Sequence, residues 1–459
     1  MSNLALHLLY RLINGHPYFS CHRIFLPQEE FPPVSIESFK SIDEYDVLGF
    51  SISYELDYFN VIEILRRSSI PILSKERDLS HPLIIGGGIC LTYNPEPLAD
   101  LFDLILIGEG EEAIGEILDR YVEVKDSVRS REDLLLSFGD IEGVYIPRFY
   151  SNGIPTVEGL SEKIKRRVFR DFNRETAYSC VRSTDTVFGD MFLIEIERGC
   201  PMGCKFCVAG NIYLPCRIKS LDVVKELVSS YKSIYSKVGL MGPLVGGIPY
   251  IKELIRWLIE EKMEVSVASL RISTLDEEFL ELLRLAGETS LTMAPEFMNE
   301  DIRFSLGKRE SNEKLLDVLE TSFKVGFKNV KFYMIFGYGE YDLELNALET
   351  FKKRIGKLLK HYKANISFNF QPLIPKPFTP LESYNSLTKG ELEEQKRRII
   401  DILRGERIKV SVASIRESLL EMALSKGGRS IFPLILNRDL KKLMDNTFIP
   451  FKPIEFIEI

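Results

Sequence analysis

Three cysteines stand close together near the middle of the chain, at positions 200, 204 and 207, in the sequence Cys-Pro-Met-Gly-Cys-Lys-Phe-Cys. Cysteine thiolates hold iron–sulfur clusters, and a four-iron cluster normally takes four of them. A group of three leaves one iron without a protein ligand, as catalytic metal sites keep one position open for a substrate. Gly199 and Gly203 suit the tight, non-helical loop that would surround such a cluster.

The alternative for Cys200, Cys204 and Cys207 is a zinc site, completed by Cys216 or by a distant ligand. The cysteines outside the group of three share no common spacing, and we interpret them as small buried hydrophobic residues: Cys21, Cys90, Cys180 and Cys216. Seven cysteines with three in one group do not resemble the framework of a secreted disulfide protein. A reducing, cytoplasmic location is therefore expected.

The three cysteines directly follow an apolar run at 192–196, after which strand and helix patterns alternate. Strands are predicted near 191–197, 237–242, 263–269, 288–295, 329–336 and 365–371. Helices are predicted near 220–235, 248–261, 275–286, 311–325, 341–361 and 388–404. Six such repeats predict a partial, TIM-like (β/α)6 barrel, whose chemistry lies at the carboxyl ends of its strands. The cysteine group follows the first of these strands.

The N-terminal third also alternates, with strands predicted at 46–54, 82–88 and 104–107. Glycines follow the second and third of these strands. This pattern indicates an α/β, doubly wound, Rossmann-like sheet, in which ligands bind outside the carboxyl ends of the strands. Because the chain begins on a helix pattern, we expect that the first strand of this sheet is absent or lies upstream.

Four segments are predicted along the chain: a Rossmann-like domain at 1–142, an edge strand and linker at 143–190, the barrel at 191–406 and a C-terminal extension at 407–459. A basic stretch at 163–170 is interpreted as a solvated linker, with a polyanion contact as the alternative. The net charge of −8 argues against a general nucleic-acid binder. No apolar run reaches the roughly 18–20 residues of a membrane span.

The cysteine motif, with Phe206 before its last cysteine, resembles the hallmark of the radical SAM superfamily. The resemblance implies a [4Fe–4S] cluster on Cys200, Cys204 and Cys207, with S-adenosylmethionine bound at the free iron. It also implies reductive cleavage of S-adenosylmethionine to a 5′-deoxyadenosyl radical. The electron would come from a flavodoxin- or ferredoxin-like reductant.

Further motifs resemble a poorly characterised subfamily with an N-terminal domain of the cobalamin-binding type. Residues 82–112 are similar to that domain, 207–217 to the subfamily's pattern after the third cysteine, and 369–380 to its sixth strand end. The cobalamin-ligand motif Asp-x-His-x-x-Gly is absent, so cobalamin is left open as a further cofactor. The family's Gly-x-Pro-Gly-Glu is replaced by Gly-Tyr-Gly-Glu at 337–340.

The resemblance assigns expected roles to individual residues. Those expected to contact S-adenosylmethionine are Phe206, Gly242, Arg271 and Glu296. Those expected in cobalamin-type loops are Gly86, Gly87, Gly108, Glu109 and Gly110. Those expected to face the substrate are Tyr213 and Arg217. Structural alternatives stay open: an ion pair for the arginine at 271, a helix N-terminal carboxylate at 296, and plain turns for the glycines.

The sequence therefore predicts a radical SAM enzyme that modifies an unidentified substrate by hydrogen abstraction, with methylation as the outcome if cobalamin binds. Two alternatives are a methylthiotransferase acting on tRNA or a ribosomal protein, and a non-catalytic metal-binding interaction protein. Neither the composition nor the motifs identify the substrate, the number of clusters beyond one or the oligomeric state.

Overall fold

The computed structural model describes residues 3–268, 270–446 and 454–459. These residues form two compact units. The first, which we call the cysteine-loop unit, contains Phe172–Pro375 and Thr379–Ser418. The second, the N-terminal unit, contains Ala5–Asp171, Lys376–Phe378 and the described part of Leu419–Ile459. Within the described part of the chain, no helix has the length and apolar character needed to cross a membrane.

The N-terminal unit is built on one four-stranded sheet with strand order β1-β2-β3-β4. Its elements are α1 (Leu4–Asn14), β1 (Val47–Ser51), α2 (Tyr58–Arg66), β2 (Leu83–Gly87), α3 (Ile89–Tyr93), β3 (Leu104–Leu106), α4 (Gly110–Val124), α5 (Arg131–Leu136) and β4 (Val144–Tyr145). Short elements follow: β5 (Tyr150–Ser151), β6 (Ile154–Pro155) and β7 (Ile164–Lys165). The unit also contains 3-10 turns at Ile42–Glu44, Glu55–Asp57, Ser74–Glu76, Glu96–Leu98 and Pro147–Phe149.

The first three strands of this sheet are parallel, whereas β4 is antiparallel to β3. Strands β2 and β3 are almost entirely buried, which is typical of parallel sheets with helix-covered faces. The prediction of a parallel α/β sheet is confirmed. The strands lie in chain order, so the order reversal of a doubly wound sheet does not occur within residues 3–268.

The cysteine-loop unit contains seven longer parallel strands. They are β8 (Phe192–Glu195), β11 (Lys237–Met241), β12 (Glu264–Val267), β13 (Ser290–Glu296), β14 (Asn329–Phe336), β15 (Asn365–Pro372) and β16 (Ile408–Val412), with the short strands β9 (Glu197–Arg198) and β10 (Arg217–Ile218) between the first two. They form sheets ordered β12-β11-β8 and β13-β14-β15-β16, linked by a parallel bridge between Leu270 and Met293. No pairing of β8 with β16 is present among the described residues, so this barrel is open.

Helices alternate with these strands. They are α6 (Leu221–Tyr231), α7 (Ile251–Glu260), α8 (Glu277–Leu285), α9 (Glu300–Ser305), α10 (Asn312–Val325), α11 (Tyr341–Tyr362) and α12 (Lys389–Leu403). Short 3-10 turns occur at Val208–Gly210, Val245–Gly247 and Ile272–Thr274. Five of the helices begin at a side chain that accepts a hydrogen bond from the first turn: Ser220, Asp276, Asn299, Ser311 and Thr388.

The predicted strand–helix repeats are confirmed for all six units, because the apolar patterns that define them are strong. In α7, for example, the buried residues are Ile251, Leu254, Ile255 and Leu258, which is one face of a helix. Strand β14 alternates buried and less buried residues along its length. Strand β16 extends the sheet beyond the six predicted units.

The C-terminal part of the chain contains three helices and one short strand. They are α13 (Ile415–Lys426), α14 (Phe432–Leu436), α15 (Leu440–Asn446) and β17 (Ile457–Glu458), with a 3-10 turn at Arg429–Ile431. Strand β17 pairs in parallel with β7, so the end of the chain belongs to the N-terminal unit.

Candidate functional site

The three clustered cysteines lie on a loop that is closed at its base by two short antiparallel strands. Arg198 of β9 pairs with Arg217 of β10. Gly199 begins the loop with φ +76°, and a Cβ there would lie 2.4 Å from the carbonyl oxygen of Tyr213. Only glycine fits this close approach of two backbone segments. The start of the cysteine loop is therefore fixed by the ribbon beneath it.

Hydrogen bonds inside the loop hold the cysteine backbone in place. The amide of Cys200 donates to the carbonyl of Ala209 at 3.0 Å. The side-chain amide of Asn211 donates to the carbonyl oxygens of Cys204 and Cys207, at 3.2 and 2.7 Å. Asn211 is thus a positioning residue that ties two of the cysteines to the turn after the motif.

The thiols of the loop are free, partly exposed and electrostatically coupled. Burial raises the pKa of Cys200, and the charges of Cys207 and Cys204 raise it further. Burial also raises the pKa of Cys207, to which Cys204 again contributes. Since each thiolate disfavours the next, a positively charged group between them would be bound strongly.

The arrangement fits a cluster better than a single ion. No three His, Cys, Asp or Glu side chains converge on a single-ion site within the described ranges. The zinc alternative requires such convergence. A four-iron cluster holds its cysteine sulfurs at separate corners, so the spread of these thiols is compatible with it.

Arg271 contacts the cysteine loop from the third strand. It follows β12 by a short connection and precedes the turn Ile272–Thr274. Its Nη1 lies 3.7 Å from Sγ of Cys204, and its Nε lies 2.8 Å from Oε1 of Glu310. Glu310 also accepts hydrogen bonds from the amide and the hydroxyl of Ser273, at 3.2 and 2.9 Å. The guanidinium is therefore held against a cysteine sulfur by a buried carboxylate.

Glu296 forms a second buried ion pair nearby. It ends β13 with φ +67°, a conformation rarely adopted by non-glycine residues. Its Oε1 lies 2.9 Å from Nζ of Lys308, and both side chains are largely buried. Burial raises the pKa of Glu296, while the ammonium of Lys308 opposes that rise. The predicted end-of-strand position is confirmed, and its charge is already partly neutralised.

Gly242 directly follows β11 and lies against Glu197 of the cysteine-loop base. A Cβ at this glycine would lie 2.8 Å from Cβ of Glu197. Oε2 of Glu197 accepts a hydrogen bond from the amide of Leu244 at 2.6 Å. Burial raises the pKa of Glu197, whose Oε1 lies 3.8 Å from the thiol of Cys216. The structure thus explains the glycine by packing, and its predicted contact with S-adenosylmethionine stays a prediction.

Phe206 packs on an apolar cluster beside the loop. The buried members are Phe297, Ile302, Leu306, Leu373 and Leu381, and the partly buried members are Phe206, Ile335, Tyr338 and Tyr384. This cluster lies where the fourth, fifth and sixth strands end. It supplies the apolar surface that a nucleoside ring would need beside a cluster, since adenine is largely buried when bound.

Tyr213 and Arg217 are held by contacts within the loop. Nε of Arg217 donates to the carbonyl of Pro215 at 3.1 Å, and its guanidinium lies 5.7 Å from the ring centre of Phe172. A second guanidinium nitrogen donates to the carbonyl of Tyr213 at 3.4 Å. These contacts match the structural alternative, and the substrate-facing role stays a prediction.

The glycine turns of the N-terminal unit are also packed by the chain itself. A Cβ at Gly86 would lie 2.7 Å from Leu91, and Gly88 has φ +99°. At Gly108, φ is +117°, and a Cβ would lie 2.3 Å from the carbonyl oxygen of Arg167. Gly87 and Gly110, in contrast, have room for a Cβ at ordinary or slightly close distances.

Glu109, between two of these glycines, is buried and bonded to the same neighbouring segment. Its Oε2 accepts a hydrogen bond from the amide of Phe169 at 2.7 Å, and its own amide donates to Arg167 at 3.1 Å. Arg167 in turn pairs with Glu112 and Glu116, at 3.1 and 2.6 Å. This part of the basic stretch is therefore neutralised within the unit. The cobalamin-loop roles stay predictions.

The interpretation of the remaining cysteines was wrong in three cases. Only Cys90 is buried, whereas Cys21, Cys180 and Cys216 are partly exposed. All of them are free thiols. Isolated cysteines carry no pattern from which burial can be predicted, so composition alone misled.

Family models match two long stretches of the chain. Residues 194–351 match the radical SAM superfamily, and residues 5–147 match the N-terminal region of radical SAM proteins. The chain belongs to the radical SAM superfamily. Family members use a [4Fe–4S] cluster and S-adenosylmethionine and generally need a reductant. The chain is therefore a radical SAM enzyme, in agreement with the cysteine motif.

Known relatives extend over nearly the whole chain. The uncharacterized protein MJ0966 of Methanocaldococcus jannaschii is 28% identical over 444 residues, covering 94% of this chain and 86% of the relative. The radical S-adenosylmethionine methyltransferase TsrM from Kitasatospora setae, with cobalamin and a [4Fe-4S] cluster bound, shares the fold. It is 13% identical, covers 88% of each chain and gives a TM-score of 0.54. Another TsrM structure, with tryptophan and a SAM analogue, gives 0.48 over 74% of this chain and 64% of TsrM, at 15% identity.

Two charged residues at the site were not predicted from the sequence. Lys308 and Glu310 stand in the sequence Lys-Arg-Glu just before the helix cap Ser311. A short run of charges next to a helix cap is typical of a solvated loop. Their burial depends on the contact between this loop and the cysteine loop, which local sequence does not encode.

Proposed function

We propose that this radical SAM enzyme cleaves S-adenosylmethionine reductively and modifies a substrate at an unactivated carbon. In this proposal Cys200, Cys204 and Cys207 hold a [4Fe–4S] cluster and leave one iron for the cofactor. When bound, the cluster supplies the electron that splits the sulfonium and generates the 5′-deoxyadenosyl radical. The observation that carries the proposal is the convergence of three free thiols on one closed loop beside buried charges.

The residues around the loop would bind and orient S-adenosylmethionine. The guanidinium of Arg271 suits a carboxylate, because its planar fork bonds two oxygens. Glu296 presents a carboxylate for the ribose hydroxyls or the cationic sulfonium, and Phe206 with its apolar cluster covers the adenine. Gly242 leaves the backbone accessible at the end of the second strand. Together they would exclude water from the reacting centre.

The test is product formation by anaerobically purified and reconstituted protein. After reduction with dithionite, wild-type protein is expected to convert S-adenosylmethionine to 5′-deoxyadenosine, measured by liquid chromatography with mass detection. Cys204→Ala should reduce this product at least about 1,000-fold, since removing a member of a catalytic unit costs that much or more. Cys180→Ala is the matched control, because it removes a partly exposed thiol outside the motif. Equal product from wild type and Cys204→Ala would contradict the proposal.

A second candidate is cobalamin-dependent methylation. It is supported by the shared fold with TsrM over 88% of both chains, a coverage that includes the N-terminal unit. The absence of Asp-x-His-x-x-Gly means that no histidine of that motif would serve as the lower ligand. Because Gly86 and Gly108 are explained by internal packing, the fold alone carries this candidate.

Corrinoid binding tests the second candidate directly. Reconstitution with hydroxocobalamin followed by gel filtration is expected to leave a visible corrinoid spectrum on the protein. A colourless N-terminal unit beside an intact cluster would reject methylation by cobalamin while leaving the radical proposal standing. The methylthiotransferase alternative predicts about eight irons per chain and the non-catalytic alternative predicts zinc, so metal analysis of the same sample separates them from a single four-iron cluster.

A further inference from the structure

One short segment contacts three parts of the candidate site. The segment 306–310 follows α9, and its Leu306 carbonyl accepts a hydrogen bond from the amide of Lys205 at 3.0 Å. A Cβ at Gly307 would lie 2.9 Å from the carbonyl oxygen of Gly203 in the cysteine loop. Lys308 and Glu310 then reach the ends of two strands. The segment therefore couples the cysteine loop to the buried ion pairs.

The contact that matters most joins this network to a cysteine sulfur. Nη1 of Arg271 lies 3.7 Å from Sγ of Cys204, within hydrogen-bonding distance for sulfur. The side chain of Arg271 is only 10% exposed and that of Glu310 only 1%. Because both groups are removed from water, solvent screens their charges weakly. The sulfur of Cys204 therefore feels a fixed, nearly desolvated cation.

We infer that Arg271 sets the reduction potential of the cluster through Cys204, and that Glu310 is the residue that positions and moderates it. This inference rests on the proposed function, because it requires the cluster on Cys204. Reduction adds one electron from the external reductant and makes the cluster and its thiolates more negative. A cation and a hydrogen bond at a cluster sulfur stabilise that added charge and so favour reduction.

The two partners have opposite expected signs. Removing the guanidinium withdraws positive charge from the sulfur, so the cluster should become harder to reduce. Neutralising Glu310 removes the negative charge that offsets the guanidinium, so the cluster should become easier to reduce. Ser273 keeps its bonds to the side-chain oxygen of a glutamine at 310, which limits rearrangement. A purely structural role for this pair would not predict opposite shifts.

The experiment is a redox titration of the reconstituted full-length protein without S-adenosylmethionine, followed by the electron paramagnetic resonance signal of the reduced cluster. Omitting the cofactor removes any effect of Arg271 on cofactor binding. Arg271→Gln is expected to lower the reduced-to-oxidised ratio at a fixed potential about tenfold, since a hydrogen bond to a charged group contributes that much. For a one-electron couple this equals a shift of about 59 mV.

Three further variants complete the test. Glu310→Gln should shift the ratio in the opposite direction, and Arg271→Lys should shift it less than Arg271→Gln because the charge is kept. Lys205→Gln is the matched control, since it removes an exposed cation next to Cys204 in sequence, and it should leave the ratio nearly unchanged. Arg271→Lys also serves if the glutamine variant does not fold.

The outcomes separate the inference from the proposed function. If wild-type protein assembles no iron–sulfur cluster, the proposed function fails and the inference fails with it. If the cluster assembles but Arg271→Gln and Glu310→Gln leave the ratio unchanged, only the inference is overturned. It is also overturned if Lys205→Gln shifts the ratio as much as Arg271→Gln, or if both members of the pair shift it in the same direction.

Discussion

The cysteine loop and the glycine turn at Gly108 share the same backbone signature but differ in what surrounds them. Gly199 and Gly108 both have positive φ, and a Cβ at either would lie within 2.4 Å of a backbone oxygen. Around Gly199 stand partly exposed thiols and buried ion pairs. Around Gly108 stands the chain's own segment at Arg167, paired with Glu112. A glycine turn after a parallel strand therefore marks close backbone approach, while the neighbouring side chains decide whether a ligand is held.

The largest expected effect would come from breaking the cysteine loop at its first residue. Gly199→Ala forces a Cβ to within 2.4 Å of the Tyr213 carbonyl, so the loop cannot close on its ribbon. We expect iron content after anaerobic reconstitution to fall to nearly zero. Gly203→Ala is the graded control, since its φ of +62° is strained for alanine but nothing lies within 4 Å of a Cβ. A full iron complement in Gly199→Ala would show that the comparison is misdrawn.

A smaller effect is expected from the corresponding change in the N-terminal unit. Gly108→Ala should lower the free energy of unfolding by about 3 kcal/mol, from backbone strain and the clash with Arg167. Iron content of the folded protein should stay normal. Gly115→Ala in α4 is the control, because open space surrounds it and alanine favours a helix by about 1 kcal/mol. Urea denaturation followed by circular dichroism measures both, and loss of iron in Gly108→Ala would contradict a packing role.

The third prediction separates the two regions by their response to pH. In the cysteine-loop unit, Glu344 accepts hydrogen bonds from the amides of Met298 and Asn299, and burial raises its pKa to about 7. In the N-terminal unit, the buried Asp103 pairs with Arg77 and Arg131, at 3.0 and 2.6 Å. A carboxyl buried without such charge partners prefers its proton in the folded state.

Between the ordinary pKa of 4.5 and the folded pKa of about 7, the folded state binds the additional proton of Glu344. Stability should therefore fall as pH rises through this interval, by up to about 3 kcal/mol. Glu344→Gln should flatten this dependence, which urea denaturation at a series of pH values measures. The same slope in wild type and variant would show that another group is responsible.

Much of the fold could be predicted because long apolar patterns determine it. The six strand–helix units were predicted from runs such as 329–336 and 365–371, which the structure places in β14 and β15. The two-residue strands β9 and β10 were missed, since elements this short carry no measurable period. The sequential order of β1 to β4 also depends on pairing between distant segments, which local patterns do not specify.

The candidate site could be predicted only where chemistry and spacing coincide. The cysteine group was found because three thiols at close spacing have few other uses, and Glu296 because it ends a strong strand pattern. Lys308 and Glu310 were missed because charged residues in loops are usually solvated. Whether Gly108 contacts a ligand or the Arg167 backbone could not be decided either, because both demand the same missing Cβ.

The close contact between Gly307 and Gly203 has a consequence for how this sequence can diverge. Loops between barrel elements usually tolerate insertions, since extra residues extend into solvent. Here one additional residue between α9 and Lys308 would push against the Gly203 carbonyl and rotate both charged side chains off their partners. The length of this connection should therefore be as invariant among functional homologues as the spacing of the cysteines themselves.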